Sequence, residues 1–223
     1  MVQTKQLPTR RSLILVHLFT LGFVTFAYLA LGTIHYPYHV VTYLFHFVKC
    51  SQRLFETLLI DKHSNPTISR GALAFILSEQ IILAGFNCYS VLCLDGDRDG
   101  NLIELVFPTP LVAFALGAGI YHHRLLAKLR RRKHEPSPSQ NRSRPYRIPK
   151  GGLFVYTTCP HYFFELLSWL GFSMIAHRPT VYGQTLYIGL SMYGRAYQTR
   201  NWYRNYVTNG YPTDRTCLIP FIS

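Results

Sequence analysis

The sequence predicts an all-α fold, a polytopic membrane helical bundle of about six transmembrane helices, and three observations predict it. The 223 residues are 48% hydrophobic and only 15% charged, against the roughly quarter share of charge in ordinary soluble chains. Several apolar runs reach or approach the roughly 20 residues a helix needs to cross the hydrocarbon core. The lysines and arginines, which give a formal net charge of +13, sit between those runs rather than within them. A nucleic-acid-binding protein would instead spread its cations over a soluble face, so no nucleic-acid partner is expected; the partners are the membrane and a lipid substrate.

The first span is residues 12–31, SLILVHLFTLGFVTFAYLAL, preceded by a short basic segment with no small-residue cleavage site after it. A second starts at 36–48 and continues amphipathically to residue 60. Residues 61–70, DKHSNPTISR, form a loop because Asn65-Pro66 disfavours helix. The third span is 71–94, followed by an acidic turn at 95–101. The fourth is 102–121, with Pro108 and Pro110 kinking or restarting it near its beginning. Residues 122–152 make one long basic loop. The fifth span is 160–176 and the sixth 180–197, followed by an aromatic and basic helix at 195–207.

Charge orients these spans. If the N-terminus, the 49–70 region, the 122–150 segment and the tail share one side, that side holds 21 of the 23 Lys and Arg residues. The positive-inside rule then makes the termini and the long loop cytosolic.

Some motifs carry little. Asp95, Asp97, Asp99 and Gly100 match the start of a calcium loop, but Val106 stands where the bidentate glutamate belongs, so a solvated turn is expected. His35/His39 and His122/His123 lack a third metal ligand of matching geometry, and no metal site is expected. Five cysteines without CxxC spacing read as packing residues or free thiols. His46 and Glu79, ionisable within spans, are either a site or satisfied structural residues.

The stretch 146–165, YRIPKGGLFVYTTCPHYFFE, is the richest in chemistry. His161 and Glu165 are spaced i, i+4 and share a helix face; Arg195, Thr199 and Tyr203 form a second stripe at i, i+4, i+8. Arg130, Arg147, Lys150, Arg195 and Arg200, with the Gly151-Gly152 turn, suit phosphate binding at cytosolic helix ends. They equally suit positive-inside anchors, and the His161/Glu165 and Arg195 groups equally suit a structural ion pair.

At these residues the sequence resembles the steroid 5α-reductase family. The resemblance rests on YRIPKGGLFVYTTCPHYFFELLSWLGF, YGRAYQTRNWY and the terminal LIPFIS, together with HFVKCSQRLFETLLIDKHS (46–64) and, for plant-type members, YHHRLLAKLR (121–130). It divides the chain into N-terminal transmembrane spans (1–45) and a reductase-like region (46–223). It implies a multi-pass endoplasmic-reticulum enzyme that uses NADPH to reduce a carbon–carbon double bond conjugated to a carbonyl, with Arg130, Tyr146, Arg147, His161, Glu165, Arg195 and Tyr203 contacting the cofactor.

Departures from the family pattern fall mainly on the substrate side. Phe47 stands where steroid reductases have the tyrosine proposed to bind the substrate carbonyl, and Gln6 where they have a catalytic glutamate. His161, Gly119 and His123 replace Asn, Asn and Asp. These changes favour an enoyl lipid, polyprenoid or sterol-like substrate over a steroid hormone handled in the steroid enzymes' way. Residues 50–52 are extra to the family spacing, and the family's seven spans against six counted here leave the first unaccounted for, which would make an incomplete chain inactive. Two other functions stay open: an S-adenosylmethionine-dependent methyltransferase resembling isoprenylcysteine methyltransferases, and a non-catalytic lipid-binding relative.

Overall fold

A computed structural model describes residues 6–30, 37–60, 67–92, 102–132, 148–207, 211–212 and 214–221. The element order is β1 (Gln6–Pro8), α1 (Thr9–Ala30), α2 (Pro37–Phe55), β2 (Thr67–Ser69), α3 (Arg70–Leu92), α4 (Pro108–Arg132), α5 (Pro160–Ala176) and α6 (Pro179–Tyr206). The fold is helical, as the composition requires. Three stretches, Thr9–Ala30, Arg70–Tyr89 and Ile103–Leu129, are long and apolar enough to cross a membrane. The helix α5, at 17 residues, falls just short of that length.

The chain forms two compact units, one of Met1–Thr109 with Gly171–Gln184, the other of Pro110–Leu170 with Thr185–Ser223. In the first unit, α1 buries Thr9, Ser12, Val16, Thr20, Val24 and Tyr28, a stripe at spacings of three and four that puts one helix face inward. The opposite face presents Phe26 and Leu29, 69% and 70% exposed. Large apolar side chains outside and hydroxyls inside reverse the pattern of a water-soluble helix and suit a lipid surround. The three residues 50–52 do not break α2, which runs on to Phe55 and loosens only afterwards into a π turn at Glu56–Ile60. Gln52 and Arg53 both donate to the Glu56 carboxylate, at 2.8 and 3.2 Å, and Arg10 donates to the Leu58 carbonyl. Such turns absorb a helical insertion without ending the helix.

Three features differ from expectation, and one expected alternative is selected. Residues expected as a loop before α3 include β2, which pairs antiparallel with β1, Leu7 opposite Ile68. Of the two outcomes expected for Pro108 and Pro110, the structure has the restart: a 3₁₀ turn at Leu102–Leu105 precedes them and they open α4, where a missing N–H costs nothing. The segment 122–132, expected to begin the long loop, continues α4 to Arg132, because HHRLLAKLRRR consists largely of good helix formers. The sixth span and the tail helix are one helix of 28 residues. The acidic turn, His35 and Cys93 lie outside the described residues.

Candidate functional site

In the second unit the Gly151-Gly152 turn is bound to α4 through one histidine. His122 is 3% exposed, and its Nδ1 lies 2.7 Å from the Ala118 carbonyl oxygen. A carbonyl only accepts, so Nδ1 carries the proton; Nε2 then accepts from the Leu153 N–H at 3.1 Å. Both ring nitrogens are thereby committed and the imidazole is neutral. Gly152 sits at φ +53°, and a Cβ there would lie 2.6 Å from His122 Nε2. That approach explains the second glycine: the turn is closed against His122, with Phe154 fully buried beneath it and Phe164 stacked on the imidazole at 5.1 Å.

Pro160 begins α5, and the first turn carries His161, whose ring centre is 5.0 Å from His123 and 4.3 Å from Tyr162. One turn on, Glu165 is buried, and its Oε1 accepts from the indole N–H of Trp169 at 3.1 Å. Trp169 continues the same i, i+4 face, so His161, Glu165 and Trp169 form one stripe, the third member of which the sequence reading missed.

The start of α5 meets α6 through a small core of Cys159, Ala196, Cys217 and Leu218. Thr199 donates to the Arg195 carbonyl at 2.9 Å, so its hydroxyl is structurally engaged. Arg195 is exposed and Tyr203 half-buried. Tyr203 stacks on Tyr211 with ring centres 5.2 Å apart, and the Tyr211 hydroxyl lies 2.6 Å from that of Thr158. A parallel bridge, Thr157 to Thr216, fastens the tail to the segment that leads into α5.

Burial is the main cause of every resolved shift at this end. It pushes the Cys159 thiol up to about 12 and raises Tyr211, with the Thr158 hydrogen bond acting in the opposite sense. It lowers Arg215, against the pull of Tyr211 and Asp214. Arg215 is 4% exposed and its Cζ lies 5.6 Å from the Tyr211 ring centre. Its Nε, like that of Arg200, has no acceptor among the described residues. Arg200 also donates to Cys217 Sγ at 3.2 Å. Arg215 escaped the sequence reading because it lies in an irregular tail where spacing predicts no face.

The expected cofactor residues thus divide. His161 and Glu165 share a face of α5, while Arg195 and Tyr203 lie on α6. Arg130 lies in the last turn of α4, and Tyr146 and Arg147 lie outside the described residues. The expected substrate residues are in the first unit: Phe47 is 39% exposed, its ring 6.0 Å from Tyr43, and Gln6 is in β1. His46, beside Phe47, is the buried one. No group of three or more His, Cys, Asp or Glu that could hold a metal occurs among the described residues. Cys50, Cys88, Cys159 and Cys217 are free thiols.

Comparison with known proteins gives a consistent picture. The family model for 3-oxo-5-alpha-steroid 4-dehydrogenase matches residues 62–223. Steroid 5-alpha-reductase DET2 of Gossypium hirsutum is 40% identical over 77 residues, 34% of this chain and 30% of the relative. Its namesake in Arabidopsis thaliana is 29% identical over 194 residues, 85% of this chain and 66% of the relative. The very-long-chain enoyl-CoA reductase of Dictyostelium discoideum is 26% identical over 187 residues, 82% and 57%. The chain therefore spans less than two thirds of the length of each of these relatives.

Proposed function

This chain belongs to the 3-oxo-5-alpha-steroid 4-dehydrogenase family, and we propose that it reduces, with NADPH, a carbon–carbon double bond conjugated to a carbonyl in a lipid. The proposal takes residues 46–223 as the reductase region and 1–45 as N-terminal spans. It sets the protein in the endoplasmic-reticulum membrane, with the termini and the 122–152 segment cytosolic. Relatives named both for steroid 5-alpha-reduction and for enoyl-CoA reduction support the bond type without deciding the lipid.

The observation that carries the reading is that two arginines of α6 and the tail, Arg200 and Arg215, have Nε donors without an acceptor among the described residues. Glu165, buried and accepting from Trp169, supplies a carboxylate acceptor of the kind to which a carboxamide or ribose hydroxyl donates. The unpartnered Nε atoms of Arg200 and Arg215 fit an anion of the phosphate kind, since a buried guanidinium without an acceptor is costly. Arg130, Tyr146, Arg147, His161, Glu165, Arg195 and Tyr203 would hold the cofactor.

When bound, the reduced nicotinamide supplies a hydride to the β-carbon of the conjugated system. The chain's own part is to fix the nucleotide, exclude water, and offer a hydrogen-bond donor to the carbonyl oxygen as negative charge develops there. A neutral His122 serves the first task indirectly, by locking the Gly-Gly turn that leads into α5.

The test is NADPH consumption in microsomes presented with enoyl-CoA, polyprenal and 3-oxo-Δ4 steroid substrates in parallel. Turnover of at least one supports the proposal. Binding of S-adenosylmethionine in place of NADPH by the purified protein would overturn it in favour of a methyltransferase; binding of neither would favour a non-catalytic lipid binder.

A further inference from the structure

The Gly151-Gly152 turn is held to α4 by a contact that depends on the charge of one side chain. Nδ1 of His122 lies 2.7 Å from the Ala118 carbonyl oxygen, and Nε2 lies 3.1 Å from the Leu153 amide nitrogen. A neutral imidazole with its proton on Nδ1 satisfies both, one nitrogen donating and the other accepting. An imidazolium cannot: its Nε2–H would face the Leu153 N–H, donor against donor. The ring has little room to turn aside. A Cβ on Gly152 would lie 2.6 Å from Nε2, Phe164 is stacked on the imidazole at 5.1 Å, and Phe154 packs against it at 5.7 Å.

The surroundings offer a charge on this ring no compensation. The titratable groups that face it, Tyr121 with its ring edge-on at 5.1 Å and His123 next in the chain, belong to α4 itself. From the 3₁₀ turn at Gly152–Val155 and from α5 it meets Leu153, Phe154 and Phe164, none of which titrates. The same side chains reach the proposed cofactor residues. Phe154 is 6.3 Å from the His161 ring and His123 is 5.0 Å from it, centre to centre, while Phe164 directly precedes Glu165 on α5. Releasing the turn therefore disturbs the first turns of α5, where both residues sit.

We propose that His122 is a positioning residue for the nucleotide site, and that protonation of its ring opens the latch. The neutral ring ties the turn to α4 and steadies the start of α5; acid releases Leu153 and weakens nucleotide binding. The latch is closed at high pH and opens as pH falls. Its ligand, NADPH, rests on the function proposed above, whereas the latch itself rests on the geometry of the second unit alone.

The test uses the full chain in nanodiscs at about pH 7.5 and about pH 5, on either side of the ordinary histidine value. Amide hydrogen exchange, corrected for its intrinsic pH dependence and read by mass spectrometry on peptides covering residues 150–156, reports the latch; NADPH titration reports its consequence. In the wild type, protection of this segment should fall about threefold or more at the lower pH, and NADPH affinity by a like factor. His122→Gln keeps an acceptor that no proton removes; it should bind NADPH within about twofold of the wild type at the higher pH and lose the acid response of the segment. His122→Leu, with no acceptor, should be poorly protected and bind weakly at both. His161 and the nucleotide's own phosphate titrate in the same range, and because the Gln variant shares both, the difference between it and the wild type is the measure. Wild-type protection that is the same at both pH values, or an acid loss undiminished in His122→Gln, would overturn the latch; should the variants fail to fold, the wild-type exchange profile decides. Lost protection with no matching change in NADPH affinity would overturn the positioning role. Lost protection in a chain that binds no NADPH at either pH would sink the proposed cofactor while leaving the latch standing.

Discussion

The two units handle buried polarity in opposite ways. In the second, polar side chains largely satisfy one another: His122 spends both nitrogens on Ala118 and Leu153, Thr158 meets Tyr211, and Glu165 accepts from Trp169. Two arginines there, Arg200 and Arg215, have Nε atoms without an acceptor among the described residues. In the first unit the inward stripe of hydroxyls and imidazole is accompanied by the fully buried Asn87, whose carboxamide has no partner among the described residues. Spare guanidinium donors in the second unit suit an anionic nucleotide.

The sharpest way to break this contrast is to open the latch in the second unit. Gly152→Ala would place a methyl 2.6 Å from His122 Nε2 at a positive φ; we expect a loss of about 2–3 kcal/mol or more, read as a large drop in melting temperature and loss of NADPH binding. Next in size, Glu165→Gln and Arg195→Ala should each weaken NADPH binding several-fold in equilibrium titration.

A smaller effect concerns pH. Burial raises Tyr211 above the usual tyrosine range, so the folded state holds that proton where the unfolded chain releases it. The stabilisation is fully present below about pH 10, the ordinary tyrosine value, and is lost as pH rises through the folded value. Tyr211→Phe should therefore flatten the alkaline fall in melting temperature. Smallest of all, the Cys159 thiol, 2% exposed and pushed up to about 12, should resist alkylation at pH 8 until the protein is denatured; mass spectrometry of peptides checks this.

How much of this was legible follows from range. The helix α5 was read correctly from Pro160 to Ala176 because its start signal and apolar run are local. His161 and Glu165 were found by spacing alone, and Trp169 would have been found by extending the same stripe one turn. The strands Gln6–Pro8 and Thr67–Ser69 were not legible, since three residues carry no period and the pairing spans some sixty positions. The reason for Gly152 lay 30 residues upstream in His122, and the partner of His46 lay 18 residues away in Tyr28. Glycine and histidine in sequence advertise a phosphate turn or a metal; only their juxtaposition reveals a packing contact.

The small β1–β2 ribbon also settles a question of parity. Each strand leads directly into a helix, β1 into α1 and β2 into α3, so both helices depart from the same place. However the first unit is inserted, the chain between those departures must leave and return. Labels at Leu7 and Ile68, paired across the ribbon, would therefore report the same side of a sealed vesicle in either orientation, and a single flipped helix in this region would have to tear the ribbon apart. Three residues of pairing thus act as a counting device for membrane crossings.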